Sequence, residues 1–216
     1  MLDVAELATR RLVAMLASSD PVPGGGCAAA VAGAQGAALV AMVARLALRR
    51  TEEEEVANRL EESARQADRL GEHLLELASQ DVEAYTQVMR AYRLPKGTEE
   101  EKEARSRAIH QALIHAAQVP MESVRAGVAG LEILAEVLPL VPSSALSDAG
   151  VAGWMFRSCV EGAALNVRAN WQSMRSAPPE GLRQLEDLVA QSRKLFEQLR
   201  QRLGALANGG VPPAAS

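Results

Sequence analysis

Aromatic side chains are scarce: two each of Phe, Trp and Tyr in 216 residues, or 3% of the chain. Rings therefore do not fill the interior, and the 48% of residues that are hydrophobic are dominated by Ala and Leu. Both are strong helix formers, so composition alone tilts the chain toward helix. Cysteine is equally sparse. Cys27 and Cys159 cannot staple a chain this long, and they read as reduced thiols. The three histidines, His73, His110 and His115, have no ligand spacing. With no His-Glu-x-x-His and no Cys-x-x-Cys, no metal is expected. Positive charge is not in excess: the net charge is −4, with both signs mixed along the chain, which argues against nucleic acid as the main partner. The opening residues Met1-Leu-Asp-Val-Ala-Glu6 carry acids where a secretory leader needs a basic and then an apolar stretch, so a cytoplasmic location is expected. Alternating β-branched runs, Asn-Gly hairpin turns and fixed-period repeats are missing too. The one long apolar run, Cys27 to Leu48, is built of Ala and Gly and contains Gln35 and Arg45. It reads as a buried core helix rather than a membrane span.

What the chain does contain is helix punctuation. A first helix is expected from Asp3 to Ser18, followed by the turn Ser18-Ser-Asp-Pro-Val-Pro-Gly-Gly-Gly26. A second runs from Gly26 or Cys27 to Leu48, with Ala29, Gly33, Ala37 and Ala41 four apart on a line that admits a close partner helix. Thr51-x-x-Glu54 fits a capping box for a third helix reaching Tyr92. Leu94-Pro-Lys-Gly97 breaks it, and Thr98-x-x-Glu101 caps a fourth to Gln118. Pro120 suits the first turn of a fifth, ending near Val137. Ser147 is placed to cap a helix from Asp148 to Met174, and Pro178-Pro179 precedes a last one, Glu180 to Leu206. The fold class is thus all-α, a bundle of six or seven helices over residues 1–206. A Gly/Pro/Ala-rich tail occupies 207–216.

Three places can carry chemistry. The glycines Gly24, Gly25 and Gly26 lead into a helix start, whose unpaired N–H groups attract anions; the alternative is a tight turn with close packing. Cys27, at that start, would have a lowered pKa. Asp81 falls within the stripe formed by Leu70, Leu74, Leu77 and Tyr85. Either it is a buried carboxyl with a raised pKa, fit for proton transfer, or it is bonded to a neighbouring helix. Ser147-Asp148 reads as simple capping or as a site. Asn166 and Asn170 lie one turn apart on one face further along the same helix. Asp148 and Asn166 are about 27 Å apart along the axis, so they serve different sites or meet through a second subunit.

The segments Asp20-Pro-Val-Pro-Gly-Gly-Gly-Cys-Ala-Ala-Ala30, Asp81-x-x-Ala-Tyr85, Leu94-Pro-Lys96, Ala116-Ala-Gln-Val-Pro120, Ser147-Asp-Ala-Gly-Val-Ala152 and Asn166-Val-Arg-Ala-Asn170 together resemble the cyclodeaminase/cyclohydrolase family. That family comprises the C-terminal domain of formiminotransferase-cyclodeaminase and its free-standing relatives. The resemblance implies an all-helical homodimer acting on one-carbon tetrahydrofolates. Its members either hydrolyse 5,10-methenyltetrahydrofolate to the 10-formyl compound or expel ammonia from 5-formiminotetrahydrofolate. It further implies that Asp81 and Asp148 are catalytic, and that Pro23, Gly24, Gly25, Gly26, Cys27, Ser147, Asn166 and Asn170 line the folate site. Arg45 and Lys96 are candidates for the glutamate tail. Cys27 stands where the family usually has Ser, keeping the size but weakening the hydrogen bond. No metal or cofactor beyond the folate substrate is implied.

Overall fold

The computed structural model describes residues 2–174 and 178–207. Among them are six α-helices: α1 (Thr9–Leu16), α2 (Gly25–Leu48), α3 (Glu54–Tyr92), α4 (Glu99–Val137), α5 (Leu146–Met174) and α6 (Pro179–Ala207). No strand occurs among the described residues, as the composition led us to expect. The expected tail, apart from Ala207, lies outside them.

The centre is α2, packed against α3, α4 and α5. Its length and apolarity would let it cross a membrane, but here most of its apolar stretch is enclosed by the bundle. Small residues make that enclosure possible. A methyl group added at Gly33 would stand 2.7 Å from the Cys159 sulfur, so the axes of α2 and α5 approach where side chains are missing. The same device joins α4 to α5. A Cβ at Gly130 would fall 2.1 Å from the ring of Phe156, the largest fully buried side chain. One of the few aromatic rings thus fills a hole that a glycine leaves open. The α6 helix closes the bundle on the α4/α5 side, burying Leu185, Val189, Phe196 and Leu199.

Four boundary expectations are corrected. The first helix is shorter than Asp3–Ser18, because residues 2–8 are tied down differently. The Val4 side chain enters the core and its N–H donates to Ser79 Oγ at 2.9 Å, while Asp3 accepts from the Ala5 N–H. Thr51 does not cap α3, which starts at Glu54 after Glu53 with no side-chain cap. The N–H groups of Arg50 and Thr51 are still engaged with the last carbonyls of α2. The box at Thr98 and Glu101 does form in both directions. Ser147 is exposed within the first turn of α5, since single 3-10 turns at Leu138–Leu140 and Ser143–Ala145 lead the chain directly into Leu146.

The fourth correction concerns Pro120, which does not begin a helix but sits inside α4. An interior proline costs about 3 kcal/mol relative to alanine. Here Ala116, Ala117, Val119, Met121 and Val124 around it are all buried. At roughly 25 cal/mol per Å2 of apolar area removed from water, that burial outweighs a single missing rung.

Gly130→Ala is expected to destabilise the protein by about 1–3 kcal/mol, because the forced movement of the Phe156 ring exceeds the gain in helix propensity. Urea denaturation of the two proteins measures it, and an unchanged or higher midpoint contradicts the tight α4/α5 contact.

Candidate active site

The turn before α2 brings its glycines onto α3. The Val22–Pro23 peptide is cis, Pro23 is buried, and Gly24 precedes the helix in extended conformation. Gly26 then lies directly against Asp81: a Cβ there would come within 2.2 Å of a carboxylate oxygen and 2.6 Å of the carboxyl carbon. No residue with a side chain fits between them. Asp81 occupies this position because helical spacing puts it on the buried side of α3, between Leu77 and Ala84.

Two forces act on the Asp81 carboxyl in opposite directions. Burial penalises the charged form, while the Cys27 backbone N–H, at the positive end of α2, donates to it and favours that form. Burial wins, and the pKa is pushed up to about 6. The neighbouring thiol behaves contrary to the helix-start expectation. Burial, and then the negative charge of Asp81, raise Cys27 to about 12. Cys27 is fully buried and packs in the core, so the terminus supplies backbone N–H groups to the site and no thiolate.

Around Asp81 is a cleft of about 160 Å3. Gly24, Gly25, Gly26, Asn166 and Asn170 line it, joined by Ala84, Tyr85 and Ala116. The two asparagines come from the end of α5 that runs antiparallel to the start of α2; Asn166 lies over Gly25. Asn166 Nδ2 donates to the Gly162 carbonyl at 2.9 Å and Asn170 Nδ2 to the Ala116 carbonyl at 2.6 Å. With one donor of each amide engaged, the polar groups at the cleft are the Asp81 carboxylate and, on each carboxamide, one oxygen acceptor and one remaining N–H.

The other expected site residues lie elsewhere in the chain. Arg45 is about 30 Å along α2 from Gly25 and is ion-paired with Asp68. Ser147 and Asp148 stand at the opposite end of α5 from the asparagines. Lys96 is exposed in the connection between α3 and α4, beyond the end of α3 and roughly 16 Å or more along the axis from Asp81. Pro23 and Cys27 support the turn without lining the cleft. Sequence reasoning assigned Tyr85 and Ala116 no role in the site. Tyr85 was detectable, one turn after Asp81 on the same face. Among the described residues, no three His, Cys, Asp or Glu side chains converge as metal ligands do.

The raised carboxyl has a cost that can be measured. Its folded-state pKa of about 6 lies above its ordinary 3.8, so between those values the native state holds more protons than the unfolded chain. Stability therefore falls as pH rises through that window, and the penalty is complete above about 6. Asp81→Asn is expected to raise stability at pH 7 by about 1–3 kcal/mol, a gain that disappears below the ordinary Asp value. Thermal melts of both proteins from pH 3.5 to 8 check this; a destabilised variant at pH 7 contradicts the burial argument.

Known proteins resemble this chain along most of its length. The family described as formiminotransferase-cyclodeaminase matches residues 8–178. A methenyltetrahydrofolate cyclohydrolase of Methylorubrum extorquens is 38% identical over 89% of this chain and 94% of its own length. The formimidoyltransferase-cyclodeaminase of Rattus norvegicus is 29% identical over 76% of this chain, and the match spans 30% of that longer protein. Among solved structures, a formiminotetrahydrofolate cyclodeaminase from Thermotoga maritima superimposes with a TM-score of 0.78 at 25% identity, covering 95% of this chain and 98% of that one.

Proposed function

Because the chain belongs to the formiminotransferase-cyclodeaminase family, we propose that it is a one-carbon folate enzyme hydrolysing 5,10-methenyltetrahydrofolate to 10-formyltetrahydrofolate. The observation that carries this reading is Asp81: a half-buried carboxyl with a pKa of about 6, in a cleft that it shares with two carboxamides. The methenyl bridge is a cationic amidinium-type carbon and already electrophilic. The protein has to hold a long ligand, deprotonate water and protonate the departing nitrogen. Above pH 6 Asp81 is ionised. It stabilises the cation electrostatically and takes a proton from the attacking water. The C–O bond forms, the bond from the bridge carbon to one ring nitrogen breaks, and that nitrogen gains a proton. One water proton ends on the nitrogen and the other is released to solvent. No metal or further cofactor is needed for these steps.

The cyclohydrolase reading is preferred to the cyclodeaminase one. The Methylorubrum relative is more similar than the rat protein and is matched along nearly its whole length. The same cleft suits ammonia expulsion, which the Thermotoga neighbour's name specifies. Decay of methenyltetrahydrofolate absorbance against ammonia release from the formimino compound separates the two. Turnover of methenyltetrahydrofolate is expected to rise with pH to a plateau through a pKa near 6. Asp81→Asn is expected to lower it by about 100- to 10,000-fold and abolish that limb. Gly26→Ala is expected to displace the same carboxyl, lowering turnover and destabilising the protein by about 1–3 kcal/mol. Failure of the wild type to consume either folate removes the enzyme reading.

The complete site belongs to a homodimer in this proposal. A cleft of about 160 Å3 is below the roughly 300–1,000 Å3 of sites that enclose a drug-sized ligand. Adjacent uncovered sides of α2 and α5 carry exposed Met42, Val151, Trp154 and Leu165. A two-fold pairing across this face sets the Asp148, Ser147 and Arg45 end of one protomer over the cleft of the other. Arg45 and Lys96 are then the cations available to the folate carboxylates. Mixing Asp81→Asn with Asp148→Asn chains is expected to restore about a quarter of wild-type turnover, because mixed dimers contain one intact site. A mixture as inactive as its components rejects the shared site, and a Leu165→Arg chain that remains dimeric by light scattering rejects this face.

A further inference from the structure

The amide of Asn170 is held by a carbonyl that the α4 helix cannot use. In a regular helix the C=O of residue 116 accepts the N–H of residue 120. Residue 120 is Pro120, which has no N–H, so the Ala116 carbonyl is left without its partner. Ala116, Ala117, Val119 and Met121 are all buried, and Ala116 borders the Asp81 cleft. A stranded carbonyl there has to be satisfied from outside the helix. Asn170 of α5 does so, with Nδ2 donating at 2.6 Å, and both Ala116 and Asn170 line the Asp81 cleft.

We propose that Pro120 is a positioning residue for the site: by withholding an N–H it keeps the Ala116 carbonyl open as a fixed anchor for Asn170. The anchor determines which way round the carboxamide sits. The nitrogen is committed to α4, and Oδ1 is kept as an acceptor for a hydrogen-bond donor on the ligand's ring. An alanine at 120 supplies the missing N–H and removes the ring that tilts the carbonyl outward, so the carbonyl is shared with the helix, turns back toward its axis and holds the amide less firmly. The proline thus exchanges a rung of α4 for a fixed acceptor in the cleft, beside the acceptor that Asn166 forms by bonding to Gly162. The effect on turnover rests on the reading of this cleft as the folate site; the link between Pro120 and Asn170 does not.

The test is Pro120→Ala, examined with and without Asn170→Ala. In the wild type, one Asn170 side-chain amide proton is expected to exchange slowly with solvent by NMR, and in Pro120→Ala to exchange at least tenfold faster while the melting temperature holds or rises. KM for methenyltetrahydrofolate is expected to increase about tenfold, with the pH limb near 6 retained because Asp81 is untouched. Asn170→Ala is expected to raise KM comparably, and the double variant no further than either single one, because the proline acts through the asparagine. Multiplicative effects of the two changes overturn the proposal. So does an unaltered Asn170 amide signal in Pro120→Ala, or a wild-type signal that is not protected, a measurement that needs no variant. A lost amide signal with unchanged KM rejects the positioning role while leaving the folate activity standing. A wild type without folate turnover is instead a failure of the functional reading, recognisable because the amide measurements stand apart from it.

Discussion

The seating of the Asp81 carboxyl on the bare Cα of Gly26 is the contact on which the site depends. It fixes where α3 meets the start of α2 and keeps the carboxyl out of bulk water. It also brings the carboxyl within reach of the Cys27 N–H. The glycine has a steric rather than a conformational job here. The loop-to-helix turn could be made by other residues, but no other residue leaves room for the acid. The raised pKa and the shape of the cleft both follow from that absence of one carbon.

The same economy runs through the bundle. With six aromatic rings in the chain, helices cannot be spaced by bulky groups. They approach instead along lines of Ala and Gly, and the tightest contacts set one large side chain, Phe156, against one glycine, Gly130. Packing of this kind is unforgiving, because a helix pair in near backbone contact has no soft layer to absorb an added methyl group. It also makes the cleft rigid, since Gly25 and Asn166 are held by the α2/α5 contact that Gly33 and Cys159 form two turns away.

Much of this was legible from the residues. Periodicity of about 100° per residue put Asp81 on an apolar stripe, and the glycine run marked the close approach that it meets. Asn166 and Asn170 fell on one face for the same reason, and the separation of Asp148 from them followed from helix rise alone. What was not legible depended on neighbours distant in sequence. Pro120 reads locally as a helix start, and only the burial of both flanks makes it an interior residue. Thr51 has the pattern of a cap, yet the last turn of α2 engages its N–H. For Cys27 the local rule gave the wrong sign. A helix dipole contributes up to about 2 kcal/mol, whereas a rise from 9.0 to about 12 corresponds to about 4 kcal/mol, supplied by burial and a nearby acid.

That last value has a consequence for the life of the protein in a changing redox environment. Oxidants and alkylating agents attack the thiolate. Cys27 and Cys159 are both sealed in the interior with their pKa values near 12, so at neutral pH almost none of either is in the reactive form. A sulfur atom next to the key carboxyl is therefore chemically quiet. Neither thiol is exposed to an oxidant in the folded chain, so the sulfur beside Asp81 is expected to stay reduced.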